Sequence, residues 1–367
     1  MSFTVTAKDP RSRARCGVLK TAHGDVETPV FMPVATQASV KALCSEDLAS
    51  LGVRAILSNS YHLYLRPGAE VVEAAGGLHS FMRFPGMILT DSGGFQVYSL
   101  ADLRDVSDES VTFQSHIDGS KHTLTPESVQ VLQHRLGSDI RTPLDVCAPY
   151  PCDRAQALTA LSRTHAWLDA SCAKFKELDD GSQFFPIVQG SFEPDLRERA
   201  AERVLGLDPQ GICLGGFSVG EPKDLTWRTL ERTVERLPEG KPRYLMGMGA
   251  PEDLWNAVSL GVDMLDCVWP TRVARNGQVM ACSGRFNIRN AEFRKDFSPL
   301  DPECSCPVCR TYTRAYLSHL FRSRELSSYR LLTLHNVHFN LRIMRRIRDS
   351  IRDGTFVQER KAFLMKI

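Results

Sequence analysis

Residues 184–266 read FFPIVQGSFEPDLRERAAERVLGLDPQGICLGGFSVGEPKDLTWRTLERTVERLPEGKPRYLMGMGAPEDLWNAVSLGVDMLD, and this stretch decides the fold. Short apolar runs at Phe184–Val188, Gly211–Leu214, Arg243–Met246 and Val262–Asp266 alternate with helical stretches at Pro194–Leu205, Leu225–Arg236 and Pro251–Leu260. Runs of this length suit buried strands, and the longer stretches between them carry helical periodicity. Pro194 and Pro251 stand where a helix tolerates proline, at its first position. Upstream, Val30–Thr36, Arg54–Ser58, Met87–Thr90 and Asp139–Asp145 read as four more strands. Helices are expected at Ser45–Leu51 with Ser45 as cap, from Pro126 to Leu136 after a Thr125 cap, and at Arg154–Lys176. Eight strands with mostly helical crossovers predict an α/β chain folded as a (β/α)8 TIM barrel, with a doubly wound open sheet as the alternative.

Outside that core, residues 1–29 contain Gly24-Asp25 between apolar pairs and read as a hairpin region closing the barrel bottom. Val111–Thr125, turning at Asp118-Gly119, reads as a hairpin inserted on the loop side. The expected division is 1–29, a catalytic barrel core over 30–290, and a metal-binding subdomain over 291–367 ending in a basic helix from about Val337.

Composition excludes several classes. Of 367 residues 43% are hydrophobic and 24% charged, which is ordinary for a globular protein. No apolar run reaches membrane-spanning length, and MSFTVTAKDPRSRARCG has no apolar centre for an export signal. Eleven cysteines without such a signal point to reduced thiols in the cytoplasm. Residues 292–367 hold 15 Lys and Arg against 8 Asp and Glu, whereas the rest of the chain is net acidic. That asymmetry suits a phosphate-bearing partner on one side or a solvated surface.

In a barrel the chemistry sits where strands run out at the carboxyl face. The third strand ends in Thr90-Asp91-Ser92, the fourth in Asp145, the fifth in Gln189, the sixth in Gly215-Gly216 and the eighth in Asp266. One such aspartate alone is an ordinary cap or turn residue; three carboxylates and an amide around one mouth are not core filling. Asp and Gln suit the amide-like edge of a purine, and two further carboxylates suit nucleophile and proton-transfer roles at a sugar carbon. Gly215-Gly216 leaves backbone N–H groups open to a carbonyl oxygen, and Phe95 and Met246 offer faces for a flat ring.

Cys304, Cys306 and Cys309 form C-x-C-x2-C, three of the four ligands of a tetrahedral zinc site, with His319, His335 and His338 as candidates for the fourth. A closed set of four would make the ion structural.

Several motifs together carry a family resemblance over nearly the whole chain. They are Asp91-Ser92-Gly93-Gly94-Phe95-Gln96, Val188-Gln189-Gly190, Gly215-Gly216 with Val219-Gly220-Glu221, Asp263-Met264-Leu265-Asp266-Cys267, Pro270-Thr271-Arg272, Arg275-Asn276-Gly277 and the Cys/His set. The chain resembles the tRNA-guanine transglycosylases (queuine tRNA-ribosyltransferases) of queuosine biosynthesis, bacterial type. The resemblance implies a pentosyltransferase that exchanges guanine at the wobble position of tRNAs with GUN anticodons for a free 7-deazaguanine base. Asp266 would be the nucleophile and Asp91 the proton-transfer group. Asp145 and Gln189 would read the base, Gly216 would meet its carbonyl, Phe95 and Met246 would flank the ring, and Ser92 and Glu221 would line the pocket. Arg272 and Arg275 would lie by neighbouring nucleotides. One structural zinc per subunit would be held by Cys304, Cys306, Cys309 and His335, in a cytoplasmic homodimer.

The base pocket departs from the bacterial pattern. Asp145-Val146-Cys147 stands where a glutamate is usual in the middle, and Phe217 replaces a leucine, while Val219 and Glu221 are kept. Losing a carboxylate there weakens the field for a cationic aminomethyl group, so preformed queuine is expected to be accepted as well as 7-aminomethyl-7-deazaguanine. Alternatives are a non-catalytic tRNA-binding partner subunit, which would lack Asp91 and Asp266, and an archaeal-type enzyme acting elsewhere in tRNA, for whose extra domain the chain leaves no room.

Overall fold

The computed structural model describes residues 2–100 and 104–366. One parallel sheet runs in the order Gln183–Phe184, Ile140–Arg141, Met87–Thr90, Ala55–Ser58, Val30–Ala35, Met264–Cys267, Arg243–Leu245, Ile212–Leu214, Ile187–Val188. The two ends of this order are halves of a single strand parted by Phe185-Pro186. The first half pairs with the fourth strand and the second with the sixth, so the fifth strand closes a (β/α)8 barrel. Pro186 lacks the N–H that an unbroken ladder would need, which explains why the expected continuous fifth strand is split.

Side-chain alternation sorts the barrel into two layers. Val30, Met32, Val34, Ala55, Leu57, Met87, Leu89, Ile140, Ile187, Cys213, Tyr244 and Met264 pack together as the interior. Phe31, Leu214, Leu245 and Leu265 belong instead to the layer under the outer helices, with Leu196, Leu230 and Trp255. Helices Pro194–Leu205, Lys223–Glu235 and Pro251–Ser259 lie close to the expected bounds.

Four expectations need correction. Ser45 is not the cap of helix Ser45–Leu51: Cys44 is the N-cap, its backbone N–H meeting Asp47 Oδ2 at 3.1 Å, and Ser45 Oγ instead donates to the Met82 carbonyl. The fourth strand is confined to Ile140–Arg141. Its continuation is captured by side chains: Thr142 N–H donates to Gln133 Oε1, and the Thr142 carbonyl accepts from Gln130 and Gln133. The expected hairpin, Val111–Gln114 with Lys121–Leu124, gains a third strand, Arg104–Val106. The last long helix spans Leu326–Arg352, so His335 lies well inside it rather than at its mouth.

Before the barrel, Phe3–Lys8, Arg15–Thr21 and Gly24–Thr28 form an antiparallel sheet whose Leu19 and Val26 join the barrel-interior cluster. After it, helix Leu326–Arg352 packs Phe339, Ile343, Met344 and Ile347 into the outer layer, and Trp255 stacks near Phe356 and Phe363. Among the described residues, no helix is long and apolar enough to cross a membrane.

Candidate active site and metal centre

A two-residue step along each strand from the interior cluster leads to the carboxyl mouth: Leu57 to Asn59, Leu89 to Asp91, Ile187 to Gln189, Tyr244 to Met246, and Met264 to Asp266. The same alternation that fills the barrel therefore aims these side chains at the mouth.

Asp91 is buried and held by three donors. Ser60 N–H reaches Oδ1 at 3.0 Å; Asn59 Nδ2 and Gln96 Nε2 reach Oδ2 at 2.6 and 3.2 Å. Burial pushes its carboxyl up to about 7, and the neighbouring charges of Asp266 and Asp145 add to the effect. Asp145 receives Gln189 Nε2 at 2.7 Å and, at 3.5 Å, Ser92 Oγ; burial pushes it up to about 6 against these donors. Asp266 is held through one oxygen: Tyr244 Oη donates to Oδ1 at 2.6 Å and Gly247 N–H at 2.8 Å. Among the described residues no hydrogen bond uses its Oδ2. Burial raises Asp266 above the ordinary aspartate value, opposed by those two donors.

Gln189 spends its amide N–H on Asp145, which leaves Oε1 buried and without a partner. A buried acceptor of this kind is suited to an N–H from a bound molecule. Gly215 and Gly216 are required by this closeness. A Cβ at 215 would stand 2.6 Å from Gln189 Nε2, one at 216 would stand 2.5 Å from Gln189 Oε1, and Gly216 has φ +73°. The site thus brings Asp91, Ser92, Asp145, Gln189, Gly216 and Asp266 together.

Other expected residues are placed less centrally. Phe95 is exposed and Met246 half-buried against the interior cluster. Glu221 is occupied by its own loop, accepting from the N–H groups of Ser218 and Val219, each at 2.8 Å, and from Thr226 Oγ1 at 2.7 Å. Arg272 and Arg275 lie on helix Trp269–Arg275 directly after the eighth strand; Arg272 is exposed, whereas Arg275 donates to the Thr271 carbonyl. Val146 and the side chains of Val97, Val111, Leu144 and Trp167 line a small cavity of about 30 Å³ next to Asp145. Phe217 is buried in the outer layer and packs under the Arg197 guanidinium, which lies 4.3 Å from its ring centre.

Asn59, Gln96 and Tyr244 join the mouth beyond the residues expected there. Asn59 was signalled: it follows the second strand as Asp91 follows the third. Tyr244 and Gln96 act through contacts that only the folded chain creates.

At the metal centre, His335 Nδ1 lies 3.8, 3.5 and 3.3 Å from the Sγ atoms of Cys304, Cys306 and Cys309. A tetrahedral ion with ordinary Zn–S and Zn–N bonds has S···N edges of about 3.6 Å, so the four atoms fit around one ion. His335 Nε2 lies 2.7 Å from the Met280 carbonyl, a donation that turns Nδ1 toward the thiols. His319 is exposed, and His338 Nδ1 reaches Cys304 Sγ at 3.4 Å without entering the four-atom group. The Cys3His group can therefore hold a metal.

Of Arg342, Arg345, Arg346 and Arg348 on the last long helix, three are engaged within the chain: Arg342 with Asp301, Arg346 with Glu359, and Arg348 with the Pro29 carbonyl. They latch the helix to its neighbours; Arg345 is exposed.

These features define a class: a (β/α)8 barrel with buried carboxylates at its carboxyl mouth and a Cys3His metal group beside it. The family model described as Queuine tRNA-ribosyltransferase matches residues 9–367. A protein of that name from Pelotomaculum thermopropionicum is 53% identical over 366 residues, covering 100% of this chain and 98% of the relative. Relatives with the same name from Desulforamulus reducens and Desulforudis audaxviator are 50% and 53% identical over 364 and 362 residues, covering 99% of this chain and 98% and 97% of their own lengths. The chain belongs to the queuine tRNA-ribosyltransferase family.

Proposed function

We propose that this chain is a tRNA-guanine transglycosylase of queuosine modification, exchanging guanine at the wobble position of GUN-anticodon tRNAs for a 7-deazaguanine base. The observation that carries the reading is Asp266, anchored through one oxygen and open at the other, in the same mouth as a carboxyl poised near neutrality. Asp266 Oδ2 attacks C1′ of the ribose and the C1′–N9 bond breaks. Asp91 delivers a proton to the departing guanine, leaving a covalent ribosyl–Asp266 ester. The incoming base loses a proton to Asp91 and attacks C1′, so two inversions retain the configuration. Asp145 and Gln189 take the N–H groups of the base, the Gly216 N–H meets its carbonyl, and Phe95 and Met246 flank the ring. Ser92 and Glu221 support the pocket, while Arg272 and Arg275 meet adjacent nucleotides. The wobble base lies in a single-stranded loop, so extracting it costs little.

Residues 1–29 close the barrel in this reading, 30–290 carry the chemistry, and 291–367 hold one zinc ion per subunit through Cys304, Cys306, Cys309 and His335. With four protein ligands the ion ties helix Leu326–Arg352 to the cysteine loop. The enzyme acts as a cytoplasmic homodimer, and the eight cysteines outside the metal group are free thiols, as a reducing compartment keeps them. The apolar wall at Val146 supports acceptance of queuine alongside the aminomethyl base.

The test is guanine exchange. Purified protein is mixed with unmodified GUN-anticodon tRNA and labelled guanine, then chased with either base. Label should enter at the wobble position and leave on addition of a 7-deazaguanine. No label with folded, zinc-replete protein overturns the reading in favour of a non-catalytic partner subunit. A strong preference for the aminomethyl base removes the queuine arm.

A further inference from the structure

Behind the base-reading loops lies a buried cation that the proposed chemistry has not used. Arg197, in the second turn of helix Pro194–Leu205, is 2% exposed and aims its guanidinium at the ends of the fifth and sixth strands. Nε donates to the Ser191 carbonyl at 2.6 Å, Nη1 to those of Val188 at 3.1 Å and Gly215 at 2.8 Å, and Nη2 to that of Gly216 at 3.4 Å. Four backbone carbonyls and the Phe217 face surround it, and among the described residues no carboxylate forms an ion pair with it. Burial lowers its pKa to about 10, so it stays charged at neutral pH. The glycines permit the approach: a Cβ at Gly190 would lie 2.8 Å from the Arg197 backbone nitrogen, and one at Gly216 would lie 3.0 Å from Nη2.

The Gly215 carbonyl and the Gly216 N–H are the two ends of one peptide unit. A cation donating to the oxygen end draws electron density through the amide and strengthens donation from the nitrogen end. Neutral donors would suffice merely to tie two loops together. Glu221 acts on the guanidinium only from beyond ion-pair distance, so burying this charge stays expensive.

We propose that Arg197 is a positioning residue that acts through the Gly215–Gly216 peptide to stabilise charge building on the carbonyl oxygen of the departing and incoming base. The inference rests on the transglycosylase reading. As Asp266 Oδ2 bonds to C1′ and the C1′–N9 bond breaks, the electron pair of that bond passes into the purine and part of it reaches O6. The polarised Gly216 N–H meets that charge until the proton from Asp91 neutralises the base.

The experiment compares wild type with Arg197→Lys and Arg197→Met, each checked for folding by its melting temperature. Arg197→Met should lower kcat for guanine exchange on the order of 10²-fold, as loss of an oxyanion donor does, with KM for tRNA within about twofold. Arg197→Lys, keeping the charge but not the fork, should recover part of the loss. Binding of free guanine and of 6-thioguanine, which keeps the N–H edge but offers sulfur as a weaker acceptor, gives a second readout needing no turnover. Wild type should prefer guanine, and Arg197→Met should shrink that preference several-fold. Equal weakening of both bases, or Arg197→Lys no better than Arg197→Met, overturns the proposal and leaves a loop tie. A wild-type enzyme that does not exchange guanine sinks the transglycosylase reading instead, and the binding comparison still decides the role of Arg197. If Arg197→Met does not fold, the lysine variant is judged on the base preference alone: retention supports the proposal and loss opposes it.

Discussion

The two ends of the barrel treat buried aspartates in opposite ways. At the amino end, Asp263 is clasped by Arg15 through both oxygens, at 2.9 and 2.6 Å, and also accepts from Arg243 N–H. Asp139 accepts from Ile88 N–H, and the stacked rings of His23 and His79 lie 2.8 and 3.2 Å from its two oxygens. At the carboxyl end, Asp91 and Asp266 are buried and Asp145 is half-buried, yet among the described residues none is in an ion pair. Burial raises Asp263 too, against Arg15; at Asp139 burial is outweighed by the His79, Ile88 and His23 donors, and its pKa is lowered. Burial alone therefore does not mark a reactive carboxylate. What distinguishes the mouth is that neutral donors stand where Asp263 has the Arg15 guanidinium, which leaves Asp91 and Asp145 titratable near neutrality and Asp266 with an open oxygen.

Asp266→Asn gives the sharpest break in that contrast. Guanine exchange should fall about 10⁴-fold or more while tRNA binding persists, measured by label incorporation and by filter retention. At the other end, Arg15→Met should strand the Asp263 charge and cost about 3–5 kcal/mol in urea unfolding, with kcat per folded molecule unchanged. A comparable loss of exchange in both variants would erase the distinction between the two ends.

The metal group belongs on the stability side of the comparison. Chelation should lower the melting temperature, with a loss of about 4 kcal/mol if free zinc had stood a thousandfold above its Kd. Zinc, restored before any unfolding, should return full activity.

The pH dependence isolates the mouth. In the proposed reaction guanine leaves with a proton from Asp91, so the single-turnover rate of guanine release should fall roughly tenfold per pH unit above about 7. If Asp266 is the nucleophile, its protonation should set an acid limb at a pH above the ordinary aspartate range, because burial raises its pKa. Asp91→Asn should abolish the alkaline limb along with most of the rate. The smallest effect is at the pocket wall: Val146→Glu should shift preference toward the aminomethyl base by less than about tenfold, read from kcat/KM with each free base.

Much of this was legible in the sequence because strand ends and ligand spacing are local. The barrel, the acidic mouth and the C-x-C-x2-C run follow from residues near one another in the chain. Among three candidate histidines the sequence alone makes no choice; in the fold it is His335 whose Nδ1 groups with the three thiols, its other nitrogen held by the Met280 carbonyl. What stayed hidden depended on distant partners. The fourth strand stops at Arg141 because side chains of Gln130 and Gln133 take over Thr142. Tyr244 reads as barrel filling until its hydroxyl is seen on Asp266, and Arg197 reads as an ordinary helix arginine until four carbonyls surround it.

The most direct measurement is peptide mass spectrometry of the protein quenched in acid during reaction with a GUN-anticodon stem-loop RNA, without free base. The expected result is a ribosyl adduct on Asp266 that disappears when guanine or a 7-deazaguanine is added before the quench. An adduct on Asp91 or Asp145, or exchange continuing at full rate in Asp266→Asn, would contradict the assignment of the open carboxylate as nucleophile.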